Sequence, residues 1–419
     1  MVGFQNQKSE DVVIPVKIMV KKDNIKLISG SEVNLVLQSK PFKIFDESII
    51  NFLSLISETI LNGVKVEEEF RELVGFGFWI RKKNLLKIKT NYKNCDRRFG
   101  RGTSFHIAPG NIPVNALYTL IFGLLSGSPS IVRISKKSVL NLKVIFEKIN
   151  QILERKEFHF LKEKISIIQY EYSDEISSFI SSNVSVRLIW GGDETINKFK
   201  KYLTKPSCID LTFPNRTSSA IIYPDLLPDQ NKNEYKLIYK GLARDIATFS
   251  QRACSSPFRL FINSKKNKVS SKKLIIKLLK DIDLEIKNNF DNNISTLTNF
   301  KSSTDMSLSF MNKAKLFFKG SYIFVLNYEK NDFANINYIP EFGCLVSYWI
   351  DSINDLYELL PENNQTIVSV PFNDENDLIN IVGTKGSDRI VSAGNALNMH
   401  LFWDGYDIIS LISRNIVSF

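Results

Sequence analysis

The chain has 419 residues, which is enough for two or three domains around a large buried core. Hydrophobic residues make up 43% and charged residues 24%, as is ordinary for a soluble globular protein. The formal net charge is +11, but the lysines are spread along the chain without interleaved aromatic residues or a known nucleic-acid module. We therefore expect a solvated basic surface that helps to attract phosphorylated ligands, and no nucleic-acid partner.

The cysteines and histidines are too scattered to predict a metal site or a disulfide framework. The N-terminus lacks a basic region followed by an apolar run, so we expect no signal peptide and a cytoplasmic location. Residues 106–132 carry no Asp, Glu, Lys or Arg and are long enough for a membrane span. Prolines and glycines interrupt them, which favours a buried helix followed by a buried strand over a membrane span.

In chain order, short β-type runs at 12–20, 25–28 and 33–37 predict an N-terminal β meander. Residues 46–90 have the apolar spacing of helices. From residue 104 the pattern alternates: strands are predicted at 104–108, 130–134, 165–168 and 186–190, near 209 and at 219–223, with helices between the first five. This alternation predicts a doubly wound, mostly parallel α/β sheet, a fold that binds nucleotides at the carboxyl ends of its strands.

Residues 224–231 have the composition of a crossover into a second domain. The apolar residues that follow have the spacing of one amphipathic helix, and they are Ile238, Leu242, Ile246, Phe249 and Ala253. Residues 286–306 are rich in Asn, Ser and Thr and predict a surface loop. We predict a meander at 1–45, a nucleotide-binding α/β domain at 46–225, a catalytic domain at 226–392, and a segment at 393–419 that returns to the core.

Three places could carry chemistry, and each has an ordinary structural alternative. Cys254 follows the amphipathic helix directly and precedes two serines and a proline, so it is either a nucleophile or a small buried hydrophobe. Gly191 and Gly192 join a strand to a helix, where they either admit a phosphate group or only relieve crowding. Asn111 either caps the helix predicted at 114–125 or directs its amide at an oxyanion.

Six stretches, found in the family's order between about residues 100 and 415, resemble the aldehyde dehydrogenase superfamily. Within it they are most similar to the LuxC-type acyl-CoA reductases, the fatty-acid reductase component of bacterial luminescence systems. The stretches are residues 106–116 (HIAPGNIPVNA), 125–135 (LSGSPSIVRIS), 189–194 (IWGGDE), 251–257 (QRACSSP), 341–343 (EFG) and 402–407 (FWDGYD). The resemblance implies an aldehyde-dehydrogenase-like α/β fold, with a Rossmann-type NADP(H) domain, a second α/β catalytic domain and a small β element for oligomerisation.

The resemblance also implies roles for individual residues. Cys254 matches the nucleophilic cysteine. Asn111 matches the asparagine that forms the oxyanion hole with the cysteine's own backbone N–H. Gly191 and Gly192 match the turn near the nicotinamide and pyrophosphate, and Glu341 matches the glutamate that holds the nicotinamide ribose.

The preference for one dinucleotide over another depends on the stretch that ends the second predicted strand. Arg133 matches a position beside the adenosine ribose, and Ser135 belongs to the same stretch. Lys136 stands where members that prefer NAD often have a glutamate. A lysine there could pair with a 2′-phosphate, which favours NADPH, although it could equally be a solvated surface residue.

One departure from the family pattern bears on the reaction. Aldehyde-oxidising members have a glutamate that activates water, but here residues 209–218 offer only Asp210, so hydrolysis of an acyl-enzyme should be slow. We expect an NADPH-dependent reductase of a fatty acyl-CoA or acyl-protein thioester, forming a homo-oligomer and served by an acyl-protein synthetase. The alternatives are an aldehyde dehydrogenase that uses Asp210 as base, or a non-catalytic acyl-binding subunit of a multienzyme complex.

Overall fold

The computed structural model describes residues 24–63, 71–265, 268–290, 314–329, 342–374 and 376–418. The strand predicted at 12–20 and the predicted ribose ligand Glu341 lie outside these ranges. Most of the segment predicted as an Asn-rich loop does so too, while its first residues, 286–290, are the end of a helix.

The strands of the described residues are β1 (Lys26–Gly30), β2 (Arg98–Gly100), β3 (Ser104–Ile107), β4 (Ser130–Arg133), β5 (Ile165–Gln169), β6 (Val186–Trp190), β7 (Ile209–Phe213), β8 (Thr217–Ile222), β9 (Pro257–Asn263), β10 (Ala314–Lys319), β11 (Phe324–Tyr328), β12 (Cys344–Ile350), β13 (Asn364–Val370), β14 (Arg389–Ser392), β15 (Phe402–Trp403), β16 (Tyr406–Asp407) and β17 (Ser413–Asn415).

The helices of the described residues are α1 (Val33–Gln38), α2 (Glu47–Gly63), α3 (Arg71–Trp79), α4 (Lys82–Lys89), α5 (Asn115–Leu125), α6 (Lys136–Asn141), α7 (Lys143–Leu153), α8 (His159–Lys162), α9 (Asp174–Asn183), α10 (Asp193–Lys200), α11 (Asn233–Ala247), α12 (Lys268–Phe290), α13 (Leu356–Leu359), α14 (Asn376–Thr384) and α15 (Ile408–Ile412). None of them is long and apolar enough to cross a membrane.

The first sheet has the strand order β1-β5-β4-β3-β6-β7, with β1 antiparallel and the other strands parallel. Alternate residues of each strand enter opposite cores because side chains of a strand point to opposite faces. Leu188 joins the core formed with α5 and α7, whereas its neighbour Ile189 joins the core formed with α1, α9 and α10. The predicted doubly wound, mostly parallel sheet is confirmed.

One strand predicted for the N-terminal meander is wrong, because residues 33–38 form the helix α1. Val33 and Val36 are both buried against the first sheet, whereas Leu35 between them is 48% exposed. This spacing of three residues is helical, and in so short an apolar run the period of a strand and that of a helix are hard to tell apart.

The strand predicted at 219–223 does not close the first sheet. It is β8, which lies inside a second sheet with the order β10-β11-β12-β9-β8-β13-β14. Only residues 214–216 separate β7 from β8, and a parallel crossover within one sheet needs a dozen residues or more. The chain therefore passes directly from one sheet to the other, and the first sheet ends at Phe213. The division of the chain into domains stays a prediction.

The end of the chain from Met399 onward packs against the first sheet rather than the second. Its buried apolar side chains join the core around α2, α5 and α7, and they are Met399, Leu401, Trp403, Ile408, Ile409 and Ile412. The strand β17 pairs antiparallel with β2, which immediately precedes β3. The C-terminal part of the chain thus returns to complete the core on one face of the first sheet.

Candidate active site

A groove of about 1290 Å³ lies where the two sheets meet. Part of its wall consists of residues at or just after the ends of β3, β4, β6 and β7, the carboxyl ends of the parallel strands, where such sheets bind ligands, and residues of α3 and α4 also line it. The wall also includes the loop that carries Cys254 and part of the C-terminal segment. Among the predicted site residues, the groove brings together Asn111, Arg133, Gly191, Gly192 and Cys254.

The loop that carries Cys254 leaves its helix earlier than predicted. The helix α11 ends at Ala247, and Phe249, Ser250 and Gln251 all have positive φ values of 50–60°. The predicted single apolar stripe is therefore divided. Its first part packs in the core of the second sheet, but Phe249 and Ala253 pack against the core of the first. The left-handed turn redirects the chain so that the cysteine faces the groove.

A buried glutamine holds this turn in place. The side chain of Gln251 accepts a hydrogen bond from the backbone N–H of Gly343 at 2.8 Å and donates to the carbonyls of Pro257 and Cys344 at 3.3 and 3.4 Å. Left-handed backbone costs on the order of 1–3 kcal/mol for a residue other than glycine, and it persists only where the surroundings fix it. Gln251 provides that fixation and joins the cysteine loop to the start of β12.

Burial raises the pKa of the half-buried Cys254 thiol above its ordinary value, and the negative charge of Asp404 acts in the same direction. A hydrogen bond from the backbone of Arg216, which outweighs the effect of Asp404, and the charge of the Arg216 side chain lower the pKa, but burial dominates and the pKa of Cys254 stays raised. The carbonyl of Cys254 accepts a hydrogen bond from Oγ of Ser218 at 2.7 Å. The thiol therefore keeps its proton near neutral pH, and it must lose this proton when the sulfur attacks.

Asn111 does not cap α5. The N-cap residue of this helix is Val114, whereas Nδ2 of Asn111 donates to the carbonyl of Arg252 at 3.2 Å. The amide thus reaches the cysteine loop two residues before Cys254. The backbone N–H of Cys254 has no carbonyl acceptor among the described residues. The Asn111 amide thus contacts the loop that bears the Cys254 N–H, and an amide and a backbone N–H are the kinds of donor from which oxyanion holes are built.

The groove wall also includes two glycines just before α10. Gly192 is the N-cap residue of α10, where no side chain caps the free backbone N–H groups. A Cβ atom on Gly191 would lie 3.0 Å from Thr195, and one on Gly192 would lie 3.1 Å from Nδ2 of Asn215. Glycines keep this floor of the groove free of side chains, so that a ligand can approach the backbone.

The first turn of α10 carries two acidic residues, so this helix adds no positive side chain to the wall there. The wall does contain Arg133, which is half-buried with its guanidinium 5.2 Å from the Tyr170 ring. Ser135 caps α6 by accepting a hydrogen bond from the N–H of Ser138 at 3.1 Å, so its hydroxyl has a structural role. Lys136 is exposed at the start of α6 and is not part of the groove wall.

Asp210 is not placed to act as a base. Its two carboxylate oxygens accept from Nε and Nη2 of Arg187 at 2.7 and 2.5 Å, and the residue is not part of the groove wall. The segment 209–218 contributes Phe213, Pro214 and Asn215 to the wall, none of which can take up a proton near neutral pH. The alternative of an aldehyde dehydrogenase with Asp210 as base is therefore not supported by the geometry.

We expect the substitution Asp210→Ala to affect stability and not turnover. The Arg187 side chain is 3% exposed, and without Asp210 its charge would be buried and unpaired. Breaking a buried pair costs about 3–5 kcal/mol, and we expect about 2 kcal/mol here because Asp210 retains 28% exposure and is partly screened by solvent. A lower thermal midpoint with unchanged kcat is the expected result, and Glu157→Ala, at an exposed position, is the control. A large loss of kcat below the melting transition would restore Asp210 as a catalytic base.

Sequence reasoning missed two polar residues of the groove wall, Gln365 and Asp404. Asp404 belongs to the 402–407 stretch that carries part of the resemblance, but the sequence assigned no role to it. The pair Asp404-Gly405 between two short apolar segments is a signal for a tight hairpin, which is what β15 and β16 form. That signal does not reveal where the side chain at the tip points.

The chain is similar to a known family and to several known proteins. The model of the family described as acyl-CoA reductase (LuxC) matches residues 79–413. A long-chain acyl-protein thioester reductase of Vibrio harveyi is 22% identical over 312 residues, covering 71% of this chain and 60% of the relative. Long-chain acyl-protein thioester reductase 2 of Photobacterium leiognathi is 24% identical over 306 residues, covering 70% and 59%. The matched part of the chain thus spans about 60% of the length of these curated relatives.

Solved structures with a similar fold are aldehyde dehydrogenases. An NAD-dependent aldehyde dehydrogenase from Sinorhizobium meliloti aligns with a TM-score of 0.61 at 13% identity, covering 86% of this chain and 78% of that one. Aldehyde dehydrogenase 21 from Physcomitrella patens aligns with a TM-score of 0.57 at 12% identity, covering 92% and 86%. The predicted aldehyde-dehydrogenase-like α/β fold is confirmed.

Proposed function

Because the chain belongs to the LuxC family of acyl-CoA reductases, we propose that it reduces a long-chain fatty acyl thioester to the aldehyde with NADPH. The curated relatives are named for acyl-protein thioesters, so the donor is either an acyl-CoA or the acylated protein of a partner synthetase. The single observation that carries the proposal is the position of Asn111, whose amide reaches the loop of Cys254 inside a groove large enough for two ligands.

In this proposal Cys254 attacks the carbonyl carbon of the thioester. The carbonyl oxygen becomes negatively charged, and the amide of Asn111 and the backbone N–H of Cys254 donate hydrogen bonds to it. The bond to the donor sulfur then breaks, the donor thiol departs, and Cys254 holds the acyl group as a new thioester. The same two donors stabilise the oxygen whenever it carries charge again, and Cys254 releases the aldehyde when its carbon–sulfur bond breaks.

The acyl group on Cys254 must be protected from water until it is reduced. A general base placed like the glutamate of the aldehyde-oxidising enzymes would activate water against the acyl carbon and divert the acyl group to the free acid. The segment that supplies such a glutamate in aldehyde-oxidising enzymes contributes no carboxylate to the groove here, since Asp210 is bound by Arg187. This supports a reductase rather than an oxidising enzyme.

The dinucleotide, when bound, supplies the hydride that reduces the acyl group. Gly191 and Gly192 would admit its phosphates to the backbone at the start of α10, and Arg133 would supply positive charge. From the resemblance, Glu341 would hold the nicotinamide ribose and Lys136 the 2′-phosphate, with Ser135 orienting the start of α6 by its capping bond.

Cofactor preference gives a direct test of Lys136. The change Lys136→Glu should raise KM for NADPH by about 10-fold or more, because a charge-assisted hydrogen bond contributes about 1.5–3 kcal/mol. Turnover with NADH should change little. Lys137→Glu is the matched control, since Lys137 is equally exposed and follows directly in α6. If both variants change KM for NADPH equally, or if neither changes it, Lys136 does not bind the 2′-phosphate.

The proposed reaction itself is tested with a series of saturated acyl-CoA thioesters, followed by NADPH absorbance with NADH as comparison. The aldehyde and the free thiol should appear in equal amounts. A second arm supplies the acyl group on an acyl-protein synthetase, and size-exclusion chromatography of the chain with and without that protein tests the proposed homo-oligomer and partner. Robust oxidation of free aldehyde by NADP⁺ without coenzyme A, in place of thioester reduction, would contradict the proposal.

A further inference from the structure

The hairpin of β15 and β16 carries an acidic side chain at its tip. Asp404 and Gly405 have φ values of +48° and +74°. Positive φ at both central residues is the signature of a two-residue hairpin turn in which Asp-Gly is favoured, so the turn itself explains the backbone of Asp404. The turn does not explain the side chain, which lines the groove together with Cys254 instead of projecting into solvent.

Gln365 holds this carboxyl group. Its side-chain Nε2 donates to Oδ1 of Asp404 at 2.5 Å, while its buried Oε1 has no hydrogen-bond partner among the described residues. Gln365 is only 2% exposed and lines the same groove. A side-chain amide can donate to a carboxylate and, after rotating, accept from a carboxylic acid. Gln365 is therefore able to hold Asp404 in both protonation states.

Asp404 is the only carboxyl group in the groove wall formed by the described residues. Burial raises its pKa to about 6. The hydrogen bond from Gln365 and the charges of Arg216 and Arg389 lower it, and Asp388 raises it. The Asp404 charge in turn raises the pKa of Cys254, and both residues line the same groove.

The other ionisable groups nearby have partners that limit their role. Arg216 forms an ion pair with Asp388 at 2.9 Å, and Arg389 lies 4.4 Å from the Trp403 ring. His400 also lines the groove, and burial together with the charge of Arg389 lowers its pKa, so that it is neutral near pH 7. Asp404 is thus the group in this wall whose protonation changes most readily near the working pH.

On the basis of the proposed function, we propose that Asp404 is the acid–base residue of the acyl-transfer step. As the Cys254 sulfur bonds to the carbonyl carbon, the Asp404 carboxylate takes the thiol proton, directly or through one water. As the bond from that carbon to the donor sulfur breaks, the Asp404 carboxylic acid gives the proton to the departing sulfur. No electron is transferred in this step, and the proton count balances. After reduction, Asp404 can return a proton to Cys254 as the aldehyde leaves, once the carboxylate has taken up a new proton from solvent.

The test isolates acyl transfer by omitting NADPH. Wild-type enzyme and Asp404→Asn are mixed with hexadecanoyl-CoA, and the release of coenzyme A and the hydroxylamine-labile acyl adduct on Cys254 are measured in a single turnover. We expect Asp404→Asn to acylate about 10²-fold more slowly, within the range for loss of a general acid–base residue. In the wild type the acylation rate should fall as pH drops below about 6, where Asp404 becomes protonated, and the variant should lack this decrease.

A second readout separates a proton-transfer role from a structural one. Iodoacetamide reacts with the thiolate and needs no acid–base residue, so removal of the Asp404 charge should shift the alkylation profile of Cys254 to lower pH. The variant thiol should then alkylate faster at pH 7 while it acylates more slowly. Asp407→Asn is the matched control. This residue is in the same hairpin, where Asn preserves the cap of α15, and both rates should remain as in the wild type.

The outcomes distinguish failure of this inference from failure of the proposed function. If wild type forms the acyl adduct but Asp404→Asn acylates at the wild-type rate, the role of Asp404 is wrong and the proposed function stands. If wild type forms no adduct on Cys254, the proposed function itself fails. Should Asp404→Asn not fold, Gln365→Met serves instead. Without the hydrogen bond from Gln365 the pKa of Asp404 should rise, so the pH below which acylation slows must move above 6. If that pH does not change in Gln365→Met, the inference is overturned.

Discussion

Replacing Cys254 with alanine should abolish acyl-CoA-dependent oxidation of NADPH. The thiol is the only group in the proposed reaction that forms a bond to the acyl carbon, and loss of a nucleophile costs more than about 10⁴-fold in turnover. The side chain is half-buried and the substitution removes a single sulfur atom, so the thermal midpoint should change little. NADPH absorbance with hexadecanoyl-CoA measures the rate, and mass spectrometry of the intact chain measures the adduct.

The matched control is Cys208→Ala. Cys208 is also half-buried, but it lies outside the groove, so its loss should leave both the rate and the adduct unchanged. Retention of thioester reduction in Cys254→Ala would end the proposed mechanism. A wild-type chain that binds acyl-CoA without forming any hydroxylamine-labile adduct would instead indicate the non-catalytic acyl-binding subunit.

Asn111→Ala should lower kcat by about 10²–10³-fold with a small change in KM, because removing one oxyanion-hole donor has an effect of that size. The charge on the oxygen develops only in the transition state, so substrate binding depends little on the amide. Losing the hydrogen bond to Arg252 should cost only about 1 kcal/mol of stability. Asn115→Ala is the control because Asn115 lines the same groove four residues further along the chain, and it should retain kcat within a few-fold. Equal losses in the two variants would argue against a specific oxyanion role.

Much of the fold followed from the period of the apolar residues. From Ser104 onward, apolar runs of strand length alternate with helical spacings, and β3 to β7 were all predicted within a few residues. Periodicity carries no information about which sheet a strand joins. For that reason β8 was assigned to the first sheet, although the short connection from β7 was a signal against it.

The site was predictable only in part. Cys254 and Asn111 came from short motifs that keep their order in the chain, and the structure places both in one groove. Asp404 and Gln365 come from a hairpin tip and a buried strand near the end of the chain, and no local pattern links either of them to the thiol. Long-range placement of this kind depends on how the two sheets meet, which the spacing of residues along the chain does not encode.

The turn at residues 249–251 was missed for a different reason. Positive φ is predicted from glycine or asparagine, and this turn consists of Phe249, Ser250 and Gln251. Its conformation is imposed by the hydrogen bonds of Gln251 to segments far along the chain, and the helical spacing of Phe249 and Ala253 continues across it. The apolar residues therefore do have helical spacing along the chain, but they pack in two different cores.

The pairing of β17 with β2 affects how the chain matures on the ribosome. Roughly 300 residues separate the two strands, and at 5–20 residues per second their synthesis takes roughly 15–60 s. Throughout that interval the emerging N-terminal half lacks the Ile408, Ile409 and Ile412 side chains that cover its apolar face. The nascent polypeptide therefore exposes this apolar face until its last residues are made, and we expect a chain terminated before residue 400 to aggregate rather than fold as an isolated half.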